Sequence, residues 1–184
     1  MPLILQSYPA VDGANSYGDV AGFKAYHDLR FQDYSQWADP ANGDPKIVAA
    51  LIEGCSYIDM RFGYNGWKTV ATQSTEFPRN DLVNMRGDFV SGVPIQVTYA
   101  NYEYALRWLR NNYTLLPDPT VDETGQNLKT HEVQAGPIRE RKEYSAFSTY
   151  AMPTYPYPDG LLRSQGFVAN PRIAGVASSP TGRG

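Results

Sequence analysis

Ile95, Tyr99, Tyr102, Leu106, Leu109 and Tyr113 recur at intervals of four, three, four, three and four residues. On an α-helix this spacing places all six on one stripe, and so narrow an apolar stripe is stable in water only when another helix covers it. The chain is thereby committed to helix-on-helix packing. Pro94 marks the start, and roughly 20 residues at about 1.5 Å each would give a helix of about 30 Å, the width of a small domain. This segment is the expected central helix. A partner stripe lies upstream in Ile47, Leu51, Cys55, Ile58 and Phe62, opened by Asp44 as N-cap and Pro45 at the first helical position. A shorter helix is expected after Gly13-Ala14-Asn15, with Ser16 as cap, Asp19 closing an acidic capping box, and Val20, Phe23 and Tyr26 or His27 facing inward as far as about Arg30. The predicted core is Phe23, Ile47, Leu51, Cys55, Ile58, Phe62, Ile95, Tyr99, Tyr102, Leu106 and Leu109.

Periodicity fades between Gly63 and Phe89, where Gly, Asn and Thr accumulate and a long ordered loop is expected. Loops of that length are uncommon without a function. After Leu116 the prolines at 117, 119, 137, 153, 156, 158, 171 and 180 interrupt every long element. The expected organisation is therefore a helical core over residues 1–113 and an extended Pro- and Tyr-rich arm over 114–184. Within the arm a short β-hairpin is expected over 129–144, a short helix over 159–165, and an extended C-terminal tail. The fold class read from this pattern is mainly α, a small helical bundle with a long central helix.

The composition excludes several kinds of chemistry. Sixteen Lys and Arg against 19 Asp and Glu leave a net charge of -3, which argues against phosphate as the main partner, because phosphate binding needs a clustered cationic surface. Fourteen tyrosines point instead to extensive protein contact. Cys55 is the single cysteine, so no intrachain disulfide can form, and its place on an apolar stripe predicts a buried, inert thiol. The opening Met1-Pro2-Leu3-Ile4-Leu5 lacks the basic start and apolar length of a signal peptide, and no stretch is apolar enough to span a bilayer. Assembly in the cytoplasm is expected.

His27 and His131, far apart, cannot make a metal site with one cysteine. No phosphate-binding glycine loop, dinucleotide fingerprint or nucleophile elbow occurs. The carboxylate pairs Asp118 and Asp122, and Glu140 and Glu143, read as solvated surface. No catalytic residue, metal or cofactor is expected, and the protein is read as a non-enzyme. Tyr102, Tyr104, Arg107, Trp108 and Arg110 read as packing residues, with Trp108 paired to Tyr104 and the arginines favouring the helix C-terminus. The run Arg139-Glu140-Arg141-Lys142-Glu143 reads as a solvated strand face or as an edge that pairs with a neighbouring chain.

Four features resemble a family of DnaT-like phage proteins related by fold to head-tail connectors and adaptors. They are Gly13-Ala14-Asn15-Ser16-Tyr17 before Asp19; Ala49-Ala50-Leu51-Ile52 with Tyr57-Ile58-Asp59; Gly66-Trp67-Lys68 with Phe77-Pro78-Arg79; and Val93-Pro94 before a helix holding Glu103 and Ala105-Leu106. The likeness covers roughly residues 10 to 112, and Gly136-Pro137-Ile138 and Leu161-Leu162 extend it. It implies a structural virion protein at the portal vertex of a tailed bacteriophage, assembled in the host cytoplasm. In that reading the chain is a head-to-tail connector subunit in a homo-oligomeric ring, a dodecamer, beneath the portal protein. DNA passes through the ring without specific binding, and the next neck or tail-completion protein docks below. The interface residues expected on this basis are Ile138, Arg139, Arg141, Tyr144, Tyr150, Tyr155, Tyr157, Leu161, Leu162, Phe167 and Arg172. The alternatives are a tail-completion or neck protein and a single-stranded DNA-binding replication accessory protein.

Overall fold

A computed structural model describes residues 2–116, 128–134, 139–144 and 153–171, with the backbone alone described for 128–134, 139–144 and 169–171. Helix α1, Val20–Asp28, begins at Asp19, whose carboxylate accepts from the Gly22 N–H at 2.6 Å. The cap is thus Asp19 and not Ser16. Ser16 is fully buried, and its hydroxyl already donates to the Gly18 carbonyl and accepts from the Asn101 side chain. Two short 3-10 turns, Ser35–Trp37 and Pro40–Asn42, lead to α2, Pro45–Arg61. Asp44 stands at the cap position of α2 but does not cap. Its carboxylate accepts from Lys24 at 2.7 Å and from the Asp39 N–H at 2.8 Å, tying α1 and the turns to the start of α2.

Helix α3, Ile95–Arg110, has 16 residues, one fewer than the 17 of α2. At about 1.5 Å per residue it is about 24 Å long, shorter than the expected central helix. The α2 stripe is buried as expected: Ile47, Leu51, Cys55, Ile58 and Phe62 are each 2% exposed or less. The α3 stripe needs correction at its ends. Tyr102, Leu106 and Leu109 are buried and Tyr99 half-buried, but Ile95 is 52% exposed and Tyr113 46%. Ile95 is the first residue of the helix, and Tyr113 lies beyond the last turn at φ +65. In exchange α3 buries a wider face that includes Val97, Ala100, Asn101, Glu103, Tyr104 and Ala105. It does so because α1, α2 and α4 all pack on it.

Gly54 sets the closeness of α2 and α3. A Cβ at that position would lie 2.8 Å from the Asn101 Oδ1 and 3.0 Å from the Asn101 carbonyl oxygen, so only glycine admits this approach. Phe23, Tyr26, Trp37, Ile47, Ala50, Leu51, Tyr102, Ala105, Leu106 and Leu109 form the core cluster around it.

The division at residue 113 is also corrected. Of the described residues, 2–115 and 154–171 form one compact unit, and those between 116 and 153 another. In the first unit, strand β1, Phe62–Tyr64, pairs antiparallel with the later strand Val168–Pro171, Phe62 lying opposite Pro171. Helix α4, Pro156–Arg163, packs on α3. Its Asp159 is 4% exposed, accepts from the Tyr104 hydroxyl, and lies 3.1 Å from the Arg61 guanidinium. Leu162 and Phe167 are buried, and the Tyr155 hydroxyl donates to the Leu115 carbonyl at 3.0 Å. Leu162 and Phe167 thus lie in the chain's own core, with Tyr155 half-buried beside them. Leu161 is half-buried and Tyr157 is 49% exposed.

The second unit contains an antiparallel hairpin of Leu128–Gln134 and Arg139–Tyr144, with Glu132 opposite Arg141 and His131 opposite Lys142. Arg139, Arg141 and Tyr144 stand on its second strand; Ile138, Tyr150 and Arg172 lie outside the described residues. The fold is therefore mainly helical with small two-stranded pairings. Among the described residues no helix is long and apolar enough to cross a membrane.

Gly54 permits a sign test. In an ordinary exposed helix Gly→Ala raises stability by about 1 kcal/mol. Here Gly54→Ala is expected to lower it by about 1–3 kcal/mol, the usual range for overpacking. Urea denaturation followed by circular dichroism reads the difference, and a more stable variant would show that the helix contact is loose.

Candidate nucleic-acid interface

Between α2 and α3 the chain runs through residues 62–94 without a helix, yet it is pinned at every stage. Strand β2, Trp67–Lys68, pairs antiparallel with β3, Arg79–Asn80, so that Trp67 faces Asn80 and Lys68 faces Arg79. The pin is Arg79, only 9% exposed. Its Nε donates to the Asn65 carbonyl at 2.8 Å, and its Nη2 to the Tyr64 and Gly66 carbonyls at 3.2 and 2.6 Å. Nη1 donates to the Glu76 carbonyl at 3.2 Å and to its carboxylate at 2.7 Å. A guanidinium has five N–H donors in a fixed fork, and these contacts use the whole fork. Gln73 adds bonds to the Thr75 and Pro78 carbonyls, both at 3.0 Å, and Phe77 is wholly buried against Tyr17, Tyr64 and Phe167.

What this pinned segment presents is apolar. Trp67 is 59% exposed, Met85 74% and Phe89 78%. Phe89 pairs antiparallel with Val83, and the Val90 N–H donates to the carbonyl of the buried Leu82 at 2.8 Å. Trp67 and Phe89 therefore both hang from the single stretch 79–83. The tip between Val83 and Phe89 is closed by Asn84, whose side-chain oxygen accepts from the Arg86 and Asp88 N–H groups at 2.8 and 3.0 Å. Lys68 lies 3.5 Å from Glu76, whereas Arg86 is exposed with no carboxylate within 4.0 Å among the described residues. Asp81 and Asp88 are exposed on the same loop. The surface is electrically mixed, and its distinguishing property is rings offered to solvent on a backbone that cannot collapse over them.

Beneath the loop lies a buried carboxyl. The Tyr17 hydroxyl donates to Asp59 near the end of α2 and accepts the Glu76 and Phe77 N–H groups at 2.9 and 3.1 Å. Burial pushes the Asp59 carboxyl up to about 7, the Tyr17 bond pulling the other way. The Glu76 charge adds to the rise and Lys68 reduces it. Burial likewise pushes the Tyr17 hydroxyl and the Cys55 thiol up, which leaves Cys55 the inert core residue expected.

The other polar groups also serve the scaffold. Tyr104 is fully buried against Tyr57 and Tyr155, so it is not Trp108's partner; Trp108 meets Tyr113 at 5.1 Å. Arg107 donates to the Glu103 carboxylate, which also accepts from Tyr26 at 3.0 Å. Arg110 donates to the Asp33 carbonyl at 3.3 Å. His27 is wholly buried between Gln32 and the Tyr102 carbonyl, and burial lowers its pKa. Among the described residues no three His, Cys, Asp or Glu side chains cluster as a metal site. Sequence reasoning named Arg79, Asp59 and Glu103 only as parts of the family resemblance and gave neither them nor Asp159 a structural role. Asp59 carried a signal, since it lies four residues after Cys55 and so shares the inner side of α2.

A family model described as "Putative DnaT-like ssDNA binding protein" matches residues 1–176. The chain belongs to this DnaT-like family. No curated protein and no solved structure matches it. The family is described by single-stranded DNA binding, which overturns the expectation of a head-to-tail connector at the portal vertex. With it fall the connector ring, the portal and neck partners, and DNA passing through unbound. The acidic balance weighs against binding driven by phosphate but not against binding driven by stacking.

Arg79→Lys cannot reproduce the fork and strands buried carbonyls. The expected loss is about 2–4 kcal/mol, with faster proteolytic cleavage within 63–93; cleavage at the wild-type rate would mean the loop is held by other contacts. Asp59 gives a pH test. Its folded pKa is raised, so its contribution favours folding below the unfolded value of about 3.9 and is lost as pH rises through about 7. Thermal midpoints should fall from pH 5.5 to pH 8, and Asp59→Asn should flatten that fall. An equal fall in the variant would place the pH dependence elsewhere.

Proposed function

We propose that this protein binds single-stranded DNA as a non-catalytic replication accessory, using the pinned loop between α2 and α3 as its contact surface. The observation that carries the reading is the family match over residues 1–176; the exposed rings of Trp67 and Phe89 supply a physical means. Aromatic faces accept any base, each stacked base being worth about 1–3 kcal/mol, so such a surface binds without reading sequence. Rigidity supports the role, since Arg79 holds the loop open before any strand arrives and less ordering is required on binding. In this reading the helical bundle around α3 is the scaffold, and Lys68 and Arg86 meet the phosphates.

Two consequences distinguish this mode from charge-driven binding. With about two phosphate contacts, the dependence of log affinity on log salt should have a slope of about -1.4. Trp67→Ala or Phe89→Ala should each weaken binding roughly 5- to 150-fold without changing that slope. Fluorescence anisotropy with a dye-labelled oligothymidylate measures both, with duplex of equal length as competitor. No binding at micromolar protein in low salt, or equal affinity for duplex, would overturn the proposal.

A further inference from the structure

Among the described residues, five other than glycine hold a positive φ: Phe31, Asp44, Asp81, Asn112 and Tyr113. Asp and Asn tolerate that region. Tyr113 gains a ring contact with Trp108. Phe31 gains nothing of the kind. It closes α1 with φ +52, its N–H donating to the Asp28 carbonyl at 3.1 Å and the Gln32 N–H to the His27 carbonyl at 3.0 Å. Glycine is the residue such helix ends favour. The ring, moreover, is 98% exposed, so neither backbone preference nor burial accounts for a phenylalanine there. A strained position that the surrounding structure maintains is a ground for asking what it does.

The ring borders an open cleft of about 550 Å³, within the range of small-molecule sites. Tyr34 lines it, fixed by an edge-on contact with Phe23 at 5.6 Å and by its hydroxyl, which donates to Asp28 at 2.8 Å. Gln32, Ser35 and the Asp28 and Asp33 carboxylates supply polar groups. Lys24 also lines the cleft but is paired with Asp44 at 2.7 Å, so the two carboxylates disfavour phosphate inside and suit the amino edges of bases. Two cations stand next to lining residues without lining the cleft themselves. Arg30, next to Phe31 in the chain, sits 3.5 Å over the Tyr26 ring, and Arg110 reaches the Asp33 carbonyl at 3.3 Å. Among the described residues neither forms an ion pair within 4.0 Å. A planar base inside with its phosphates outside matches this arrangement.

We infer that Phe31 and the cleft beside Tyr34 form a second base-stacking subsite for single-stranded DNA, on a different element from Trp67 and Phe89. The inference rests on the proposed DNA-binding reading. Phe31→Gly tests it, because glycine suits φ +52 and removes the ring without endangering the fold. The variant should have a thermal midpoint at or above that of the wild type, yet bind a long oligothymidylate about fivefold or more weakly. An oligonucleotide carrying 5-iododeoxyuridine should photocrosslink to the peptide containing Phe31. If the wild type binds no single strand, the parent reading fails and the subsite with it. If Trp67→Ala weakens binding and Phe31→Gly does not, the subsite alone is overturned. A lower thermal midpoint would make the ring structural. Loss of a self-associated species by sedimentation, with DNA binding unchanged, would assign Phe31 to protein contact and also overturn the proposal.

Discussion

Three buried polar groups on α3 decide what packs where. Asn101 reaches Ser16 in the N-terminal segment, Glu103 meets Tyr26 of α1, and Tyr104 meets Asp159 of α4. Each would cost free energy if buried without a partner, so each selects one segment of the chain and rejects others. Apolar burial alone would accept many arrangements of short helices. The side of α3 facing α2 works differently, through the close approach that Gly54 permits. One helix thus gathers elements separated by up to 143 positions in the sequence, Ser16 to Asp159, and the loop between α2 and α3 is anchored at both ends to this assembly.

The loop itself is stabilised by a different kind of contact. It has little apolar surface to bury beyond Phe62, Tyr64, Phe77 and Leu82, so hydrogen bonds from Arg79 and Gln73 supplement a small core. Two of its rings, Trp67 and Phe89, are left outside. Asp59 and Tyr17 join the underside of the loop to α2, coupling the presented surface to a group that titrates near neutrality. The geometry of the rings is therefore set by a polar framework and not by their own packing.

Much of the helical fold was legible because its signal is local and periodic. The α2 stripe, Ile47 to Phe62, is buried throughout, since a 3.6-residue repeat needs no knowledge of distant segments. The same reading overreached at Ile95 and Tyr113: a repeat does not reveal where the covering helix ends. Ser16 and Asp19 are both good caps by type, and only the demand of the buried Asn101 for a hydroxyl distinguishes them. In the C-terminal segment a short helix was expected over 159–165 and α4 spans Pro156–Arg163, but its packing partners were not legible. Its prolines do exclude a long helix, but Pro156 in the first turn is compatible with a short one. What fixes α4 is Asp159 between Tyr104 and Arg61, a long-range pairing that no periodicity announces.

The site was less legible than the fold, and the cause is electrostatic. Net charge reports on long-range attraction to phosphate, which falls with salt, whereas a stacked ring acts only on contact. A chain with a net charge of -3 can therefore hold a single strand if it has exposed rings on a rigid support and a few cations beside them. Trp67 beside Lys68 was visible in the sequence as part of a glycine-bounded motif, but nothing local distinguished an exposed tryptophan from a buried one. Arg79 makes that distinction. It pulls the Tyr64, Asn65 and Gly66 carbonyls inward, and the residue that follows them is turned toward solvent.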